Sequence, residues 1–99
     1  MPDEVKEQIL RSIEVAKLGG TAANAELRPN IGKGVYQISV DHDTDTYRGV
    51  YLVEIRGYLV VLHAFKKKSK SGKATPKPEI DLIKRRIKFA MQHLKGTRR

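Results

Sequence analysis

The chain has no cysteine and no tryptophan, only two phenylalanines, and only two acidic residues (Glu79 and Asp81) after position 64. Without cysteine there is no disulfide, no thiolate nucleophile and no thiolate metal ligand. This suits a reducing compartment, and a cytoplasmic location is expected. Long hydrophobic runs are also missing. The longest apolar stretch, Tyr58 to Phe65, is interrupted by His63 and is too short to span a bilayer. The start, MPDEVKEQIL, is acidic and amphipathic and lacks the basic opening and apolar run of a secretory signal. A length of 99 residues supports one domain over 1–99, with 96–99 expected as a flexible tail.

What is present is positive charge, and it is unevenly placed. Residues 1–64 carry seven Lys/Arg against nine Asp/Glu, whereas residues 65–99 carry thirteen against two, for a net charge of +9 over the chain. A field concentrated in one third of a chain attracts polyanions and binds phosphates by releasing their counterions. A face kept basic only for solubility usually mixes both signs. The asymmetry therefore favours nucleic acid or an acidic protein as partner.

Periodicity predicts the elements. Val5, Ile9, Ile13 and Ala16 recur at helical spacing over Pro2–Leu18, and Gly19-Gly20 terminates the helix. Thr21–Glu26 reads as a second, short helix capped by Thr21, and Arg28–Gly34 as a loop. Three strands follow. Val35–Val40 alternates Tyr36, Ile38 and Val40 against Gln37 and Ser39; Tyr47–Ile55 is rich in β-branched and aromatic residues; Tyr58–Phe65 is apolar on both faces, which argues for a central position. Lys66–Lys77 reads as a basic loop. Pro78–Lys95 reads as the last helix, its stripe formed by Ile80, Ile83, Ile87, Met91 and Leu94. The expected fold is α+β: an antiparallel meander of three strands, or four, packed by an N-terminal helix or helices and a C-terminal helix.

Few residues invite chemistry. Asp41-His42-Asp43-Thr44-Asp45 opens like a calcium loop, but positions six and twelve hold Thr46 and Leu52 where Gly and Glu are required, so a polar hairpin turn is expected. His42, His63 and His93 lack metal-ligand spacing, and no cofactor or metal is expected. His63, inside an apolar strand, is expected to be a hydrogen-bonded buried histidine. There remain Arg48, opening the second strand, and Lys66, Lys67 and Lys68, closing the third. In a meander these ends lie near one another, and alternation puts Lys66 and Lys68 on one face and Lys67 on the other. Arginine clamps phosphate oxygens, and a lysine crowded by cations gives up its proton nearer neutrality. Both suit metal-independent RNA cleavage, in which a ribose 2′-hydroxyl attacks its own 3′-phosphate, whereas composition alone favours solvated phosphate contacts without chemistry. Arg28 and Lys33 are candidate RNA contacts.

Tyr47-Arg48 with Tyr51, then Leu62-His63-Ala64-Phe65 running into Lys67-Lys68-Ser69, then Thr75-Pro76 before EIDLIKRR, occur in this order. Together they resemble the phage-derived, HigB-like branch of the RelE/ParE toxin superfamily over about residues 30–95. The resemblance implies a RelE-like fold, with helices on a curved antiparallel sheet. It implies a ribosome-dependent mRNA endoribonuclease held inactive by a cognate helix-turn-helix (HigA-like) antitoxin, the pair repressing its own operon and so reaching operator DNA only as a complex. By position, Arg48 matches the arginine that contacts the scissile phosphate, and Lys66, Lys67 and Lys68 the basic run proposed for phosphate stabilisation and proton transfer. Lys70 and Lys73 would hold RNA. Two departures stand out. Gln37-Ile38-Ser39 replaces a triplet ending in arginine, which removes a cation, and Gly49 replaces a bulkier residue, which is expected to loosen the sheet. Two other readings stay open: a basic module that docks on RNA or an antitoxin without cutting, and a ParE-like gyrase poison.

Overall fold

The computed structural model describes residues 1–53, 57–67 and 75–97. It is α+β: helix α1 (Asp3–Lys17), strands β1 (Ala25–Leu27), β2 (Val35–His42), β3 (Asp45–Val53) and β4 (Leu59–Lys67), and helix α2 (Lys77–Thr97). The strands form one antiparallel sheet in the order β1-β2-β3-β4. No helix among the described residues is long and apolar enough to cross a membrane.

Helix α1 forms where the spacing of Val5, Ile9, Ile13 and Ala16 predicts it, and all four are buried. Asp3 and Glu4 lie in its first turn and Lys17 in its last, each where the helix dipole favours its sign. The helix ends in a Schellman motif: Gly19 N–H donates to Ala16 O and Gly20 N–H to Val15 O, both at 3.0 Å. Gly19 has φ +91°, a conformation that costs a side chain energy and glycine almost none. The Ser12 hydroxyl ties α1 to the following turn through Asn24 Oδ1 at 2.8 Å.

Strand alternation divides the sheet into two faces. One presents Ile38, Val40, Tyr47 and Tyr51 to the α1 stripe, with Tyr36 stacked on Tyr51 at 5.3 Å between ring centroids. Gly49 lies on this face, and a Cβ there would stand 3.1 Å from Ile9 Cγ2. Glycine at this position lets α1 sit close on the sheet; it does not loosen it. The opposite face carries Val35, Val50, Leu52, Leu62 and Phe65, packed with Ile31 and Ile83. Ile87 and Met91 complete this second core from α2. At about 1.5–3 kcal/mol for each fully buried Ile or Val side chain, the two cores are the main stabilising contribution.

Further expectations are corrected. Thr21–Glu26 does not form a second helix: Ala25–Leu27 is strand β1, pairing Ala25 with Ile38 and Leu27 with Tyr36. Its helix-favouring residues are overruled by an open sheet edge that needs hydrogen-bond partners. The last strand is at the edge of the sheet and not in its centre, because nothing pairs beyond β4 among the described residues; it also runs on to Lys67, past the expected end at Phe65. Helix α2 continues through Gly96 to Thr97, beyond the expected end at Lys95.

Candidate phosphate-binding site

The α2-side face of the sheet is apolar at one end and polar at the other. At the apolar end, Val35, Leu52 and Val60 adjoin α2. Toward the other end, alternation brings Gln37, Ser39, Arg48, Phe65 and Lys67 to the same side, since Arg48 pairs with Ser39 and Phe65, and Lys67 with Thr46. Arg28, two residues beyond β1's Glu26, joins them and forms an ion pair with that glutamate at 3.2 Å.

Gln37 is the hub. Its side chain is 1% exposed and lies against two guanidinium groups and the Thr75 hydroxyl. Only an amide oxygen can face two guanidinium donors. Gln37 Oε1 therefore accepts from Arg48 Nη1 at 2.9 Å and from Arg28 Nη2 at 3.2 Å, and its Nε2 donates to Thr75 Oγ1. Thr75 opens the segment that enters α2; the Pro76 carbonyl then receives the N–H groups of Glu79 and Ile80 at 3.0 and 3.1 Å. One glutamine thus couples β2, β3, the β1 edge and the root of α2. Gln37 was not a candidate from sequence, where it stands only as a departure from an expected triplet. A polar residue at an inward-facing strand position is the signal that could have found it.

The electrostatics show tension. Arg48 is only 5% exposed. Burial, and after it the Arg28 charge, pushes its pKa down; Asp41 and Glu26 act in the opposite direction without cancelling that shift. Lys67, 6% exposed, is likewise lowered, by burial first and the Arg48 charge second. Clustered, desolvated cations of like sign are costly to fold around, and an anion placed among them removes the cost. Perturbed groups of this kind gather at functional sites.

The expected site residues divide as follows. Arg28, Arg48 and Lys67 come together on one face. Lys66, by alternation, lies on the opposite face, where it forms an ion pair with Asp45 at 3.6 Å. Lys33 lines a separate groove with Leu27, Val53 and Met91. Lys68, Lys70 and Lys73 lie outside the described residues. His63 is hydrogen-bonded as expected but half-buried where a buried place was expected, with Nε2 2.6 Å from Glu79 Oε1 and Nδ1 3.3 Å from Arg86 Nη1. These partners fit one tautomer: Nε2–H donates to the carboxylate and Nδ1 accepts from the guanidinium. The polar hairpin expected at Asp41 to Asp45 is present: Asp41 and His42 end β2, Asp45 opens β3, and Asp43-Thr44 form the turn, with Asp43 at φ 56°.

The family model for phage-derived Gp49-like proteins (DUF891) matches residues 1–88. The chain belongs to this family. It is a RelE/toxin-like family of toxin–antitoxin systems, and membership points to an antitoxin as partner. No curated protein and no solved structure matches the chain. Within such a family, the Arg28–Arg48–Lys67 cluster and its glutamine hub stand out as the candidate site.

Proposed function

We propose that the protein is the toxin of a type II toxin–antitoxin system of HigB-like kind, a metal-independent endoribonuclease that cuts mRNA on the ribosome. The observation that supports this most is the convergence of Arg28, Arg48 and Lys67 on one sheet face about Gln37. The two arginines suit the non-bridging oxygens of a phosphodiester, and Gln37 holds their forks in place for it. Cleavage would proceed by attack of the ribose 2′-oxygen on the adjacent phosphorus. The P–O5′ bond breaks, leaving a 2′,3′-cyclic phosphate and a 5′-hydroxyl. A base must take the 2′-hydroxyl proton and an acid must supply one to O5′. Lys67, with its lowered pKa, is suited to exchanging a proton nearer neutrality, and Lys68 is the further candidate by resemblance. A helix-turn-helix, HigA-like antitoxin would hold the toxin inactive, and the pair would contact operator DNA through the antitoxin.

Primer-extension mapping of mRNA ends after brief induction tests this reading. New ends in translated messages, absent for Arg48→Ala and when translation is blocked, are the expected result. A specific observation favours a second reading: residues 65–99 carry thirteen Lys/Arg against two Asp/Glu, as expected of a basic module that docks on RNA or an antitoxin without cutting. Growth arrest with no new mRNA ends would support it, whereas DNA breaks that depend on gyrase would assign a ParE-like action.

A further inference from the structure

Helix α2 carries two stripes. Ile83, Ile87 and Met91 enter the core, whereas Arg86, Phe89 and His93 flank β4, the edge strand of the sheet among the described residues. Between helix and edge runs a groove of about 380 Å³, its floor formed by Val60, Val61 and Leu62. It is markedly apolar for a surface feature: Phe89 is 72% exposed and Val61 54%. Apolar patches held open at a strand edge mark interaction sites.

The edge is prepared and not merely left over. The register between β3 and β4 shifts at Val50/Tyr51, which leaves Leu62 outside the regular pairing. The Leu62 carbonyl accepts from Arg86 Nη1 at 2.7 Å. The contact of Arg86 with His63 Nδ1 uses the same Nη1. The guanidinium carries two further nitrogens in a planar fork suited to a carboxylate. Arg86 is the charged residue that lines the groove, and α2 as a whole is basic, with Lys84, Arg85 and Lys88 exposed elsewhere on its surface. A second copy of the chain would bring one basic helix against another, which like charge opposes.

We propose that the groove between β4 and α2 receives an extended acidic segment of a partner protein. The segment lays apolar side chains against Val61 and Phe89 and sets a carboxylate on Arg86. Main-chain pairing along a strand edge supplies affinity, and the pockets for alternate side chains supply specificity. The groove lies at the far end of β4 from Lys67, about 20 Å along the strand at ~3.3 Å per residue. A segment bound there does not reach the Arg48 cluster, so this inference does not depend on the ribonuclease reading.

The test is selection of a displayed library of short peptides on the full chain. Enriched peptides should alternate apolar residues with Asp or Glu, bind less tightly as salt is raised, and lose about tenfold or more in affinity to Phe89→Ser. Arg86→Gln, which keeps the apolar contacts and removes the groove's cation, should also weaken them, and Arg48→Ala should bind them like the parent. Phe89 is largely exposed, so circular dichroism of Phe89→Ser should match the parent. The proposal is overturned by any of four outcomes: no enrichment; peptides indifferent to Phe89→Ser; self-association of the parent that this substitution abolishes, which would assign the groove to a second copy; or binding of single-stranded RNA lost in the same variant.

Discussion

The two faces of one four-stranded sheet are built to different ends. The α1 face is apolar along β2 and β3, with Tyr36, Ile38, Val40, Tyr47 and Tyr51 laid against a regular helical stripe. The α2 face is apolar only at the end where Ile83, Ile87 and Met91 pack, and at the other end buries Gln37, Arg48 and Lys67. An entirely apolar second face would give a more stable protein, because a buried cation costs more to desolvate than a well-packed side chain. Stability is concentrated on one side, and the capacity to bind an anion on half of the other.

Substitutions on the two faces should separate these roles, and their effects on folding stability should fall in order. Ile38→Ala, which opens a cavity beneath α1, should cost about 2–5 kcal/mol by denaturant unfolding. Gly49→Ala, which forces a methyl against Ile9, should cost about 1–3 kcal/mol by the same measurement; no loss would mean that α1 shifts freely on the sheet.

Lys67→Met should change the pH dependence of stability more than its size at neutrality. Folding holds the Lys67 pKa below its ordinary 10.5. Between the lowered value and 10.5, the unfolded chain binds a proton that the folded chain does not, so stability from this group rises with pH across that window. The parent should therefore gain stability relative to Lys67→Met as pH climbs toward 10.5 in parallel thermal melts, and identical slopes would show Lys67 to be ordinary. Lys66→Ala should do least, within about 0.5 kcal/mol, because its ion pair with Asp45 is half-exposed and on the α1 side. If Lys66→Ala removed growth arrest as fully as a change at Arg48, the distinction between the faces would fail.

Much of this contrast could be read from the sequence, and the exceptions have physical causes. The spacing of Val5, Ile9, Ile13 and Ala16 sets α1, and the alternation of Tyr36, Ile38 and Val40 sets the face it covers, since both patterns are local. The shared face of Arg48 and Lys67 was hidden, because alternation carried straight from the Val53–Leu59 pair would give Arg48 the face of Lys66, and the bulge at Leu62 shifts it to that of Lys67. β1 was hidden because Ala25, Glu26 and Leu27 favour helix in isolation and become a strand only by pairing with β2. The edge position of β4 was hidden because α2 covers one of its faces, which makes an edge strand as apolar as a central one. The meeting of Arg28 and Gln37 with Arg48 depends on register between β1, β2 and β3, which no local pattern carries.

The central claim is that the polar half of the α2 face is the working surface, and it is tested most directly by Arg48→Ala, scored for growth arrest on induction alongside its thermal melt. The account predicts that arrest disappears while the thermal melt stays a cooperative unfolding transition, so that the loss is one of function and not of the fold. Arrest undiminished in a folded Arg48→Ala protein would contradict it.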